Sequence, residues 1–305
     1  MVILGTMLRT AKTTLRNLTA RYESLKDQVA HDAKSPAAAE TLSLAAKTAL
    51  AFLSSSCTKV ALTSKVPGKG YWSFTTRGKG PRKLSRPVNE SLFDFNCGNQ
   101  LDRLIEGNLR NLPPDDRSRL LYTVAISYCC ASDLLKTGDQ KTPATFFECL
   151  TGHLFARAFS TNPRTQVEVL QLEEDEADTL PTDFIFDLGS GKPKFHVPVK
   201  TSTRERVIQV FAHQRVLDGV HGFGKFKGIL ICLTETKLDH RTKEVVEICV
   251  PKQWSLYQRF IAPMHRFYYF DVPQKYANLT TGDPPMAVLP FAGFFDEISE
   301  LAGSR

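Results

Sequence analysis

The 305-residue chain holds no run of about 18 apolar residues, the length a helix needs to cross a bilayer. Met1 to Arg9 carries a four-residue apolar stretch where a secretory signal needs a longer one. The expectation is a protein that stays in the cytoplasm where it is made, with no membrane partner. Its seven cysteines are odd in number, scattered and without a CxxC pair. That argues against a disulfide framework or zinc ligands and predicts buried, reduced thiols. A Gly-rich phosphate loop, GxSxG and HExxH are also missing, which removes the usual support for a nucleotide hydrolase, a serine hydrolase or a zinc protease. No internal repeat is visible.

The composition is that of a folded soluble chain, with 42% hydrophobic, 23% charged and 10% aromatic residues. Lys and Arg number 39 against 32 Asp and Glu, and the resulting +7 favours a polyanionic partner without requiring one. Two local imbalances are sharper. Residues 59–86 hold eight basic side chains and no acid, with Tyr71, Trp72 and Phe74 interleaved. This stretch reads either as a solvated, mobile hairpin or as a basic arm that follows a phosphate backbone through Lys69, Arg77, Lys79, Arg82 and Lys83, its aromatics serving as stacking or wedge groups. Residues 168–183 hold seven acids and no base, most of which reads as a solvated loop.

Apolar spacing predicts two helices over 7–56, broken at Lys34-Ser35-Pro36. Further helical spacing runs over 92–136, interrupted at Pro113-Pro114, and one amphipathic helix covers 142–158. From 166 to 238 the pattern changes to strand, hairpin, helix and strand. The tail offers a strand near 244–250, a helix over about 252–266, the aromatic run Phe267 to Phe270 and a short terminal helix. The fold class expected is α/β (α+β): a central mixed β-sheet flanked by helices, with a helical N-terminal region.

The segment from Leu180 to Gly219 carries the chemistry. Gly189-Ser190-Gly191-Lys192-Pro193 is a turn between β-rich runs, which predicts a hairpin. Alternation places Phe184, Phe186 and Leu188 on one face of the first strand and Asp183, Ile185 and Asp187 on the other. On the second strand Phe195, Val197 and Val199 oppose His196, Pro198 and Lys200. One face is then core, and the other can bring Asp183 to Lys200. That pair is either an ordinary cross-strand ion pair or a carboxylate that holds a hard divalent cation beside an ammonium that orients water. Ser202-x-x-Glu205 is a capping-box pattern, so a helix should start directly after Lys200. Arg204 and Arg206 in its first turn oppose the helix dipole and suit the O6 and N7 edges of guanine. Glu148, on the 142–158 helix, reads either as a solvated acid or as one turned toward the hairpin.

At these residues the sequence resembles the PD-(D/E)xK nuclease superfamily, and in particular type II restriction endonucleases. Pro181-Thr182-Asp183 before Phe-Ile-Phe looks like the family's Pro-Asp-apolar strand, Val197-Pro198-Val199-Lys200 like its apolar-acid-x-lysine strand, and FFECLTGHLFARA like a helix that supplies an extra acid. Pro198 stands where the family usually has a metal-binding acid. In the branch that cuts CCGG and CCNGG-type sites that acid has migrated to the following helix, where this chain has His213 and Gln214. The same branch carries a basic-acidic-arginine cluster, matched by Arg204-Glu205-Arg206.

The resemblance implies a site-specific endodeoxyribonuclease acting on double-stranded DNA at a short, C·G-containing palindrome, in a prokaryotic cytoplasm, with Mg²⁺ as cofactor and a homodimer as the active form. Asp183, Lys200, Glu148 and Gln214 are the catalytic residues it implies, with Asp183 and Glu148 holding the metal and Asp187 as the alternative acid. Arg204, Glu205 and Arg206 are the base readers. The division expected from composition and pattern is a helical region over 1–58, a basic arm over 59–90, and a helical lead-in, nuclease core and C-terminal extension over 91–305 as one continuous domain. Two other readings remain open: a repair or structure-specific nuclease of the same fold, and a DNA-binding protein whose nuclease site has decayed at Pro198.

Overall fold

The computed structural model describes residues 2–77, 83–173 and 176–303; the side chains of 2–10, 170–173, 176, 177 and 205 lie outside that description. The chain opens with α1 (Val2–Asp32), α2 (Pro36–Ser56), β1 (Cys57–Ala61), β2 (Thr63–Ser64), β3 (Tyr71–Thr76) and β4 (Val88–Asn89). It continues with α3 (Asp102–Glu106), α4 (Pro114–Leu135), α5 (Lys141–Phe159), β5 (Arg164–Glu173), β6 (Glu176–Asp187), β7 (Lys194–His196) and β8 (Val199–Lys200). Then come α6 (Val207–His221), β9 (Phe226–Cys232), β10 (Thr236–Asp239), β11 (Glu244–Glu247), α7 (Pro251–Phe260), β12 (Arg266–Tyr269), β13 (Val288–Pro290) and α8 (Phe294–Leu301). No helix among the described residues is long and apolar enough to cross a membrane.

Two compact units result, Met1–His153 with Thr236–Glu247 and Leu154–Glu235 with Ile248–Arg305, a division different from the compositional one near residues 58 and 90. In the first unit α4 is buried on every side from Leu120 to Ser132 and forms its centre. Its start follows from Pro114 in the first turn, with Asp115 and Asp116 beside the positive end of the dipole. Ser35 caps α2 by accepting from the Ala38 N–H at 3.3 Å, and the break at Lys34-Ser35-Pro36 falls where the sequence predicts it.

The basic segment is folded into this unit. β1 and β3 pair antiparallel, with β4 beside β3. Tyr71 and Phe74 are buried, and Trp72 lies edge-on to Phe93 under the Lys59 ammonium. The expectation of stacking or wedge aromatics is corrected for Tyr71 and Phe74, which are core on opposite faces of β3, Tyr71 on Val66 and Val245 and Phe74 on Phe93 and Phe95, while Trp72 is half-buried against Phe93.

The second unit is built on a mixed sheet in the order β13-β12-β9-β7-β6-β5, with β8 also on β9. The hairpin forms as predicted, Ile185 opposite His196 and Asp187 opposite Lys194, with Gly189 and Gly191 supplying positive φ in its turn. Both faces are covered, however. Phe155 and Phe159 pack on Phe186 and Phe195, while α6 covers the other side, with Leu217 packing on Ile185 and Phe226. His196 is therefore buried and not part of an open face. α7 ends at Phe260, earlier than the spacing predicts, because Pro263 disfavours helical geometry in the residue before it.

Candidate active site

The Asp183 carboxylate sits where the hairpin comes apart. Val197 N–H still donates to the Phe184 carbonyl at 2.9 Å, the last rung of the β6–β7 ladder on this side. Two residues on, Val199 N–H donates not to a β6 carbonyl but to Asp183 Oδ2, at 2.7 Å. The side chain has taken the place of a backbone acceptor, and the strands part beyond it. Pro198, which has no N–H to give to β9, divides β7 from β8, while its carbonyl accepts from Ile231 at 2.9 Å. The absent acid thus stands at a structural break in the second strand.

Lys200 Nζ donates to the same Oδ2 at 2.7 Å. Oδ1 has no hydrogen-bond partner among the described residues. Pro181, Asp183, Pro198 and Lys200 line a cleft of ≈ 320 Å³, closed on the α6 side by Gln209 and His213. Burial holds the His213 pKa below its ordinary value, and the Lys200 charge adds to this against the pull of Asp183. His213 is therefore a neutral imidazole at pH 7 on the wall that faces the ion pair.

Gln214 points the other way. Its Oε1 is 3.2 Å from His196 Nδ1, and its amide N–H₂ donates to Asp218 Oδ1 at 3.1 Å and to the Phe226 carbonyl at 2.8 Å. The catalytic part expected of Gln214 is corrected on that ground, since its amide is committed inside the unit. Helix periodicity explains the swap: neighbouring residues on α6 face directions about 100° apart, and only the His213 side reaches the cleft.

Asp187 pairs with Lys194 at 2.8 Å near the turn, at the far end of the hairpin from Lys200. Glu148 is half-buried on α5 in the first unit, and all the cleft residues named above belong to the second. Among the described residues no group of three or more His, Cys, Asp or Glu side chains is placed to hold a metal ion. The donor set still suits a small hard cation, because Mg²⁺ is commonly held by one or two carboxylates together with substrate phosphate and water, and Oδ1 is available.

After Lys200 the chain makes a 3-10 turn over Arg204–Arg206 before α6 begins. Thr203, the residue that precedes this turn, makes no side-chain cap bond. Ser202 Oγ donates to Glu235 at 3.0 Å, and Thr203 gives that carboxylate its N–H at 3.0 Å and its hydroxyl at 2.5 Å. A buried carboxylate is the stronger acceptor, and Tyr269 adds a further bond at 3.1 Å. Arg204 adopts φ 43°, a left-handed conformation that costs a non-glycine residue about 1 kcal/mol or more. Glu235 holds the residues just before it. Arg204 and Arg206 are exposed at the start of α6, and the Glu205 side chain lies outside the described residues. Sequence reasoning missed Glu235, whose hydroxyl and N–H donors, on Ser202, Thr203 and Tyr269, lie more than 30 residues away.

Three of the five residues expected on the DNA backbone have partners within the first unit. Lys69 pairs with Glu247 at 3.4 Å, Arg77 donates to the carbonyls of Cys57 and Ser54, and Lys83 donates to the Asp133 carbonyl. Lys79 and Arg82 lie outside the described residues.

No protein-family model and no curated protein matches this chain. Among solved structures it is similar to the type IIP restriction endonuclease Kpn2I, with 25% identity and a TM-score of 0.75 over 93% of this chain and 96% of that one. A restriction endonuclease PspGI–substrate DNA complex aligns over 68% of this chain and 91% of that one at 13% identity and a TM-score of 0.43, a likeness that carries no weight. Over nearly its whole length this chain has the fold of the type II restriction endonuclease Kpn2I, in line with the resemblance to that kind of nuclease.

Proposed function

We propose that the chain hydrolyses phosphodiester bonds of double-stranded DNA at a short, C·G-containing palindrome, as a Mg²⁺-dependent homodimer. The observation that carries this reading is the Asp183–Lys200 pair at the mouth of a cleft, on a fold shared with Kpn2I. Asp183 Oδ1 is the oxygen left to hold a cation. When bound, Mg²⁺ supplies charge stabilisation to the pentavalent phosphorus and acidifies a water. Lys200 gives one of its three N–H groups to Asp183 and has two left to orient the attacking water and to draw on a phosphate oxygen. His213, neutral on the facing wall, offers a lone pair without adding charge that would compete with a cation. The part as second metal acid given to Glu148 on resemblance stays part of the proposal, as do base contacts by Arg204, Glu205 and Arg206.

The test is incubation with long unmethylated DNA, with Mg²⁺ and with EDTA. Discrete fragments that require the metal are the expected result. Asp183→Ala and Lys200→Ala should each abolish them while binding persists, and Glu148→Gln should weaken cutting. Arg204→Ala or Arg206→Ala should lose site-specific binding. Normal cutting by the Asp183 variant would overturn the assignment of the site, a smear would favour a repair-type nuclease, and binding without cutting would favour a decayed centre.

A further inference from the structure

At the opposite end of β9 from Lys200 lies a second cleft, of ≈ 770 Å³. Five cations line it, Arg164, Lys192, Lys194, Lys225 and Lys227, against Asp187 as the one acid in its wall. Asp187 is already engaged, by Lys194 at 2.8 Å and by the Gly189 N–H at 3.0 Å. Among the described residues, none of Arg164, Lys192, Lys225 and Lys227 has a carboxylate within ion-pair distance. A protein of net charge +7 thus gathers four uncompensated positive groups into one concave surface, beyond what the reaction centre uses.

We propose that this cleft is a second DNA-binding site, which takes the phosphodiester backbone of duplex away from the scissile bond. The inference rests on the nuclease reading above and extends it. Three features point to a polyanion. Arg164, Lys192 and Lys225 are exposed, so each contact is screened and weak alone. No polar side chain buried in the cleft would orient a small ligand. A polyelectrolyte gains from such a surface through the counterions it releases. Distance then sets the reach: Lys194 pairs with Phe226 and Lys200 with Cys232, so the clefts are separated by six residues of β9. At 3.3 Å per residue this is about 20 Å, roughly the rise of six base pairs.

The test compares the wild-type chain with the triple variant Arg164→Ala, Lys192→Ala, Lys225→Ala, all at exposed positions. Two site-free probes, a hairpin with a five-base-pair stem, too short to span the clefts, and a 40-base-pair duplex, are titrated across salt without Mg²⁺. On the longer duplex the variant's slope of log K against log salt should be shallower by about 2 to 3, since each phosphate contact contributes about 0.9. Between 50 and 200 mM salt that is roughly a 20- to 60-fold smaller loss of affinity. Equal binding of the short hairpin by both proteins identifies flanking DNA of the same molecule as the source. A second short hairpin bound per protomer by the wild type and not by the variant identifies a separate duplex. Identical slopes and stoichiometries for the two proteins would overturn the inference. Cutting of long DNA, assayed in parallel, separates the two readings: cutting with unchanged slopes removes only this one, and a changed slope without cutting removes only the nuclease.

Discussion

Replacing Glu235 by Gln removes a charge and little volume, and the structure sets a scale for the loss. The carboxylate is 1% exposed and accepts from Ser202 Oγ, the Thr203 N–H, Thr203 Oγ1 and Tyr269 OH. Bonds to a charged acceptor contribute about 1.5 to 3 kcal/mol each, and a glutamine keeps one oxygen while pointing an N–H₂ group at donors. With partial rearrangement the loss is about 3 kcal/mol, shared between global stability and the loop that displays Arg204 and Arg206. The left-handed Arg204 then loses the hold on the residues before it and can relax. Urea unfolding should show the stability loss, and competition binding should show site preference reduced at least tenfold with affinity for site-free DNA retained. Glu235→Asp, which keeps the charge, should recover part of both. If Glu235→Gln unfolds within about 1 kcal/mol of the wild type and cuts with unchanged preference, the carboxylate does not position this loop.

Asp133→Ala should cost about 3 to 5 kcal/mol. Its carboxylate takes Arg86 Nε at 2.8 Å and Nη2 at 2.9 Å, and without it a largely buried guanidinium is stranded; a urea-unfolding loss below about 1 kcal/mol would contradict this. His196 should make stability depend on pH. Burial lowers its pKa to about 4, against a bond from Gln214 that raises it. Between pH 4 and 6.5 the unfolded chain binds the proton that the folded chain refuses, so His196 contributes about 3 kcal/mol to a rise of stability with pH across that window and nothing further above it. Unfolding curves at stepped pH measure it, with His196→Gln as the control that removes its share of the rise while His265 and His213, whose burial also lowers their pKa values, keep theirs. Gly228→Ala should destabilise by about 1 to 3 kcal/mol, because its Cβ would stand 2.7 Å from Gln214 Oε1 and 2.5 Å from Met264 Sδ; an unchanged melting temperature would show that both side chains yield freely.

The hairpin, the helix after it and the meeting of Asp183 with Lys200 were legible because strand alternation and a glycine-rich turn are local properties. Burial of both faces was not, since the aromatics that cover Phe186 and Phe195 come from α5. Local pattern also misled. Ser202-x-x-Glu205 fits a capping box, yet a carboxylate 33 residues downstream takes the serine hydroxyl. The basic run over 59–86 looks like an arm until Glu247 and several backbone carbonyls claim its side chains. Charge density was visible in the sequence, and charge already committed was not.

The carboxylate that replaces a backbone acceptor has a stereochemical consequence. With Oδ2 fixed by Val199 N–H and Lys200, the Asp183 side chain cannot turn both oxygens toward one ion. A cation entering the cleft meets a single lone-pair direction, aligned by the sheet and not by a free rotamer. Ions that favour two-oxygen bites and loose shells of up to eight ligands are poorly served by such a group, and a small ion with strict octahedral demands is well served. On the metal-dependent reading proposed above, this geometry would favour the smaller alkaline-earth ion, through a carboxylate set one rung past the last backbone bond of a β-ladder.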